Sequence, residues 1–232
     1  MRIAISEIFG PTIQGEGPSA GNPAVFLRLA GCNLTCSWCD TAYTWDWDRF
    51  EKSEEVTITS PAEVIERIKG IMGSIPLLVI TGGEPMGQWA ALDPIIDFWL
   101  ERGIAFPRVE VETNGTKPAP PGRHGMSFNV SPKLPSANQG SPPLDLLRDW
   151  AIRSDAILKF VIKDWPDVDA LDDLMKPLGW RLDPTEVFLM PEGQTVAELD
   201  AKAKRIAEIA IARGYRYTDR LHIRIWGDKR GH

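Results

Sequence analysis

All three cysteines of this 232-residue chain sit in one short stretch, GCNLTCSWCDT, as Cys32, Cys36 and Cys39. An odd number of thiols gathered this tightly does not build a disulfide framework, and in a reducing compartment such a group binds metal. Three thiolates fill three positions on a tetrahedral ion or an iron–sulfur cluster and leave one position to another ligand. A structural zinc would recruit a histidine. The histidines here are His124, His222 and His232, all far along the chain, so a zinc site requires the fold to return one of them to the loop.

The loop is flanked by strand and helix signals that alternate. Residues 24–29 read as a buried strand interrupted by Arg28, and Ser60-Pro61-Ala62-Glu63 is a capping box that starts a helix running to about Met72. Residues 77–81 are apolar and β-branched, and an amphipathic helix over 92–102 closes at Gly103. Further strands are expected at 109–112, 128–130, 156–162 and 186–190. Helices are expected at about 166–176 and after the Thr195-x-x-Glu198 box, where Val196, Leu199, Ala203, Ile206 and Ala210 form one stripe. This alternation predicts a parallel sheet of βα units with right-handed crossovers. The Pro/Gly-rich text between 117 and 143 reads as loops around one strand, which leaves a single domain over residues 1–232. Five polar or Gly/Pro segments directly follow five of these strands. They are the cysteine loop, Thr81-Gly82-Gly83-Glu84-Pro85, Glu112-Thr113-Asn114-Gly115, Ser131-Pro132-Lys133 and Met190-Pro191-Glu192-Gly193. In a barrel they emerge on one face, which is where an active site is expected.

Composition narrows the function classes. The chain is 43% hydrophobic and 25% charged, the balance of a folded globular protein. No apolar run approaches the ~18 residues of a membrane span, and the first residues lack an export pattern, so a cytoplasmic protein with no membrane partner is expected. With 26 Lys and Arg against 32 Asp and Glu, the net charge of −6 argues against general attraction to nucleic acid. A small-molecule substrate is expected instead.

The cysteine spacing, with Trp38 directly before the third thiol, resembles the cluster motif of the radical S-adenosylmethionine superfamily. The resemblance implies an incomplete (βα)6-type TIM-like barrel holding a 4Fe-4S cluster on Cys32, Cys36 and Cys39. S-adenosylmethionine would chelate the remaining iron, and its one-electron cleavage would release methionine and a 5'-deoxyadenosyl radical. Residues 8–17 (IFGPTIQGEG), 24–28 (AVFLR), 39–41 (CDT) and the TGGEPM, ETNGT, SPK and LKFVI segments are, in addition, similar to the 7-carboxy-7-deazaguanine synthases of queuosine and deazapurine biosynthesis. These lyases convert 6-carboxytetrahydropterin to 7-carboxy-7-deazaguanine with loss of ammonia, using magnesium. Carried over by motif, Trp38, Gly83, Glu84, Ser131, Pro132, Lys133, Met190, Pro191 and Glu192 would surround S-adenosylmethionine. Ile13, Gln14, Gly15, Arg28, Thr81, Glu112 and His232, the last through a terminal carboxylate, would contact substrate, and Thr41 would ligate magnesium. The resemblance also implies a flavodoxin or ferredoxin as electron donor, a homodimer, and a product that serves tRNA modification.

Several of these residues have a physical reading of their own. A buried Arg28 needs an anionic partner, and a substrate carboxylate and a structural Asp or Glu both qualify. The Gln14 amide offers the donor and acceptor edges a pterin ring requires. Lys159 interrupts its strand as Arg28 does and reads as a salt bridge outside the site. His124, in a loop, and His222, on an expected strand, read as structural or solvated. Two rivals stand beside this reading: a radical activase acting on a partner protein, a class that shares the cysteine motif, and a zinc-stabilised interaction module that is not an enzyme.

Overall fold

A computed structural model describes residues 1–101, 108–140, 142–178 and 182–232. Two strands open the chain, β1 (Ile3–Ile13) and β2 (Pro23–Leu29), paired antiparallel. Beyond the cysteine loop come a single helical turn, α1 (Lys52–Glu55), and a short strand, β3 (Thr57–Thr59), on the outer side of β1. The next elements are α2 (Pro61–Met72), β4 (Leu77–Gly82), α3 (Trp89–Leu100), β5 (Arg108–Thr113), β6 (Met126–Val130) and α4 (Leu144–Ala151). The remainder is β7 (Ala156–Ile162), α5 (Trp165–Met175), β8 (Val187–Pro191), α6 (Val196–Arg213), β9 (Arg216–Tyr217) and α7 (Leu221–Trp226).

One sheet holds all nine strands in the order β3-β1-β2-β4-β5-β6-β7-β8-β9. Every pair from β2 through β9 is parallel. Among the described residues the edges β3 and β9 do not meet, so the barrel is incomplete, as expected. Parallel strands covered by helices are buried on both faces and read as continuous apolar runs, and β7 (AILKFVI) is buried at all of its positions. Helices α2 and α3 press Val64, Ile68 and Met72, and Leu92, Ile95 and Ile96, into the same core. No helix of the described residues is long and apolar enough to cross a membrane.

The six expected strands form β2 and β4 to β8, and both capping boxes close, with Ser60 and Thr195 each accepting from the third helical N–H. The periodicity reading missed β1, β3, β9 and α4. In β1 the core-facing pattern is interrupted by Glu7, Gly10 and Pro11, so no clean alternation survives. His222 lies on helix α7, not on a strand. The stretch LHIRIW mimics a two-residue period, but six residues are too few to separate the two periods. Helix α3 starts at Trp89, ahead of the expected 92, and its expected stop at Gly103 lies outside the described residues.

The cysteine loop leaves β2 at the point where β2 pairs with β4, with Arg28 beside Thr81 and Leu29 beside Gly82. Gly83 N–H donates to the Leu29 carbonyl (3.1 Å) and Glu84 N–H to the Gly31 carbonyl (2.9 Å). A Cβ on Gly82 would stand 2.2 Å from the Leu29 carbonyl oxygen, and one on Gly83 2.0 Å from that of Gly31. The glycine pair is therefore required by the chain's own backbone, which passes too close for any side chain. Gly83→Ala should displace the cysteine loop, lower stability by about 2 kcal/mol and reduce the iron and sulfide retained after anaerobic reconstitution. Urea denaturation and elemental analysis check the two effects.

Candidate active site

The segments that follow β2, β4, β5, β6 and β8 converge, with the β1–β2 connection and the chain's last residues, on one cleft of about 1340 Å³, its open mouth included. Cys32, Cys36 and Cys39 edge it together. Among the described residues no three His, Cys, Asp or Glu side chains gather closely enough to hold a single ion. Instead the thiols border a shared space from three positions of one loop. Burial pushes the Cys32 thiol up to about 11, and it raises that of Cys36 as well, against the pull of Lys133. As free groups these two hold their protons, which metal binding would displace. The sulfurs also carry N–H contacts of the kind that tune cluster thiolates: Leu34 N–H donates to Cys32 (3.4 Å) and Trp45 Nε1–H to Cys39 (3.3 Å). This donor set fits an iron–sulfur cluster.

Beside the cysteines, the Lys133 ammonium lies 5.5 Å from the centre of the Trp38 ring and donates to Ser131 Oγ (3.1 Å). Gly83, Ser131, Lys133, Met190 and Glu192 line this end of the cleft with Trp38. The motif residues Glu84, Pro132 and Pro191 do not line it. Glu84 is buried and its carboxylate is occupied: Oε1 accepts from Met86 N–H (2.9 Å) and Thr113 Oγ1–H (2.7 Å), and Oε2 from Asn114 N–H (2.7 Å). It ties the glycine turn to the end of β5.

At the other end the floor is charged. Lys159, 3% exposed, donates to Glu16 (2.7 Å) and Glu112 (2.8 Å). Arg220 spans Glu16 (3.1 Å), Asp40 and the Gly193 carbonyl (2.6 Å), joining the β1–β2 connection, the cysteine loop and the segment after β8. Burial alone would raise the Glu16 carboxyl, but Lys159, Arg220 and His222 outweigh it and hold it far below the usual carboxylate range. Burial likewise opposes charge on Lys159, and Glu112 and Glu16 reverse it. Glu110 is pushed up, first by burial and then by Glu112. Lys159 is thus the expected salt bridge, but it also lines the cleft.

Three expected substrate residues and the expected magnesium ligand have well-defined surroundings. Arg28 Nε donates to Glu7 (2.7 Å), and the guanidinium lies 5.4 Å from the Phe9 ring centre. Its terminal nitrogens have no hydrogen-bond partner among the described residues. Of the two partners open to Arg28, a structural carboxylate therefore takes one edge and leaves the fork free. Gln14 Nε2 donates to Glu110 (2.5 Å) and Glu112 (3.2 Å). The amide nitrogen thus faces the two carboxyl groups, and the carbonyl on the other side lies 3.4 Å from the Glu16 N–H. Thr41 Oγ1 lies 3.7 Å from Cys39 Sγ at the junction of the two ends. His232 stacks on Trp226, with ring centres 5.1 Å apart. Ile13, Gly15 and Thr81 line the same wall.

Glu16, Asp40, Arg220 and His222 join the cleft without having been expected there. A Cβ on Gly15 would lie 2.0 Å from His222 Nδ1, so that glycine makes room for the imidazole. The His222 ring, its pKa lowered mainly by burial, packs there between Arg220 and Glu16. Glu16 belongs to the IFGPTIQGEG segment, but the reach of Arg220 and His222 from the start of α7 is a tertiary fact.

A sulfur-ligated loop after the first parallel strand, at the mouth of an incomplete barrel, defines the radical S-adenosylmethionine enzymes, and the model of that superfamily matches residues 27–123. A 7-carboxy-7-deazaguanine synthase of Pyrobaculum aerophilum is 34% identical over 99% of this chain and 97% of its own length. One from Halobacterium salinarum is 33% identical over 97% and 91%. The crystal structure of QueE from Escherichia coli superposes with a TM-score of 0.70 at 27% identity, covering 94% of this chain and 93% of that one. The chain belongs to the 7-carboxy-7-deazaguanine synthase family. The activase and zinc-module readings fall with that finding. Members of the superfamily work with a 4Fe-4S cluster and S-adenosylmethionine.

Lys159→Met leaves two half-buried carboxylates without the cation between them and should cost about 3 kcal/mol by urea denaturation. The stability that Glu16 contributes is in place above about pH 4.5, the value of the free side chain, and is lost as pH falls below it, because only the unfolded chain then readily takes the proton. The stability gap between wild type and Glu16→Gln should accordingly close on acidification, as denaturation midpoints at a series of pH values would show.

Proposed function

We propose that the chain, as one catalytic domain, converts 6-carboxytetrahydropterin to 7-carboxy-7-deazaguanine with loss of ammonia. The observation that carries this reading is Arg28, a cleft-lining arginine whose inner nitrogen is fixed by Glu7 while its terminal fork has no hydrogen-bond partner among the described residues, in the same cleft as the three cysteines. A fixed guanidinium fork suits a carboxylate, and the substrate carries one. The Gln14 carbonyl and the Glu112 carboxylate are acceptors on the neighbouring wall, suited to the adjacent N–H donors of a 2-amino-4-oxo pterin edge. Thr41 supplies one neutral oxygen. Magnesium keeps several waters and takes few protein ligands, so a substrate carboxylate and water could complete its shell there.

When bound, the cluster and S-adenosylmethionine supply the radical that abstracts hydrogen from C6 of the substrate. Cys32, Cys36 and Cys39 would hold the cluster. Trp38, Gly83, Ser131, Lys133, Met190 and Glu192 would surround the nucleotide, with the Lys133 ammonium set against its carboxylate. The remaining residues orient the substrate. Arg28 and Gln14 grip it from two sides, and the Lys159–Glu16–Arg220–Asp40 network keeps the cleft floor rigid and paired while the ring contracts. Hydrogen returns to the product and ammonia leaves, consistent with a lyase. A flavodoxin or ferredoxin as reductant, a homodimer, a cytoplasmic location and a product that feeds queuosine synthesis complete the proposal.

Anaerobically reconstituted protein should form a product with the mass of 7-carboxy-7-deazaguanine, dependent on S-adenosylmethionine and stimulated by magnesium. An intact reduced cluster that yields no such product would overturn the reading. Arg28→Gln should lower kcat/KM by about 100-fold, the worth of a charge-assisted fork, with most of the loss in KM.

A further inference from the structure

The stretch from Cys36 to Cys39 is hung on one short turn, Pro135–Ala137, by three hydrogen bonds. Ser37 N–H donates to the Ala137 carbonyl (3.1 Å), Ser37 Oγ–H to the Ser136 carbonyl (3.0 Å) and Trp38 Nε1–H to Ser136 Oγ (3.2 Å). The turn is held in its place by Asp167, in the first turn of α5. This carboxylate is 0% exposed and does not line the cleft. Its Oδ1 accepts from Ser136 N–H (3.0 Å), and its Oδ2 accepts from Ser136 Oγ–H (2.6 Å) and Lys163 N–H (2.9 Å).

The direction of the chain of bonds follows from chemistry. Each Asp167 oxygen already accepts from a backbone N–H, which marks both as acceptors, so the Ser136 hydroxyl gives its proton to Asp167 and turns a lone pair outward. The indole N–H can only donate, and it meets that lone pair. The three groups therefore have one consistent arrangement, and it sets the rotation of the Trp38 ring, which lines the cleft with the cysteines and packs against the Lys133 ammonium. Capping α5 does not require this. Asp164 is the N-cap of that helix, and only the bond to Lys163 is local, while two bonds reach 31 residues back in sequence to Ser136.

We propose that Asp167 is a positioning residue for S-adenosylmethionine, acting through Ser136 on Trp38 and on the cysteine loop that carries it. The inference rests on the reading that the cleft holds the cluster and that nucleotide. It gives a role to a buried acid outside the segments that carry the family resemblance.

A double-mutant cycle on anaerobically reconstituted protein tests it, with S-adenosylmethionine affinity measured by calorimetry. Ser136→Ala should weaken binding about five-fold, the worth of one hydrogen bond, while Trp38→Phe keeps the aromatic wall and removes the donor. In the Trp38→Phe background Ser136→Ala should then cost nothing further, since its partner is already gone. Asp167→Asn should weaken binding at least as much as Ser136→Ala, because an amide nitrogen facing Ser136 reverses the required direction, and it should alter how the nucleotide perturbs the electron paramagnetic resonance signal of the reduced cluster. If Asp167→Asn fails to fold, the Ser136 and Trp38 variants decide alone. Unchanged affinity in Ser136→Ala, or the same penalty in both backgrounds, would overturn the proposal by assigning the network to stability only. Wild-type protein that assembles the cluster yet binds no nucleotide would instead bring down the underlying reading, and this inference with it.

Discussion

The contact on which the site depends is between two pieces of backbone. The loop leaving β2 lies directly on the Gly82–Gly83 turn at the end of β4, with each backbone hydrogen-bonded to the other and no space for a Cβ. The parallel register of β2 and β4 delivers both segments to the same height, and a shift of one residue would turn Arg28 away from the cleft and put a bulky side chain where the glycines now stand. Glu84 reinforces the contact from below by binding the start of the Asn114 turn. Cysteine loop, glycine turn and the segment after β5 thus form one body, and the thiols inherit their positions from backbone geometry.

The substrate end is built differently. Its floor is a set of buried charges from five separate segments, in which Lys159 and Arg220 share Glu16, and each also holds a second carboxylate, Glu112 or Asp40. Such an arrangement is costly to desolvate and stable only when complete. Its geometric consequence is that β1, the cysteine loop, β5, β7, β8 and α7 are tied at points where loops would otherwise move independently. Arg28 is outside this network, held by Glu7, which also accepts from Tyr43 (2.8 Å) and from Arg230 near the last residues of the chain (3.4 Å). The residue suited to a carboxylate is therefore oriented by a separate, more exposed set of contacts.

What could be read in the sequence divides along physical lines. Local information was sufficient for the six central strands, because strands buried on both faces are continuous apolar runs, and for α2 and α6, because a capping box is a four-residue signal. The cysteine motif and the segments after the strands were legible for the same reason, since each is short and contiguous. Strand β1 was not, as its pattern is broken by Glu7 and by Gly10-Pro11. Arg220 and His222 were not, because nothing near them in sequence shows that they meet Glu16, some two hundred residues earlier. Lys159 was read correctly as an ion pair, but whether that pair lies beside the cleft or away from it is decided only by the fold.

The two ends of the cleft also differ in how they treat negative charge, and the difference has an electrostatic logic. A cluster held by three thiolates is anionic, and an unpaired carboxylate beside it would oppose reduction. The acids nearest the cysteine loop are each tied down, although the charge of Glu84 still raises the Cys32 thiol and that of Asp40 the Cys36 thiol. Glu84 is enclosed by three donors, Asp40 is bound to Arg220, and Asp167 reaches the loop only through a neutral hydroxyl. The cation at this end, Lys133, lines the cleft and pulls the Cys36 thiol down against that charge. Neutral donors hold Glu84 at the cluster end while ion pairs hold the acids of the substrate end, and the negative charge that remains near the thiols is partly offset at Cys36 by Lys133.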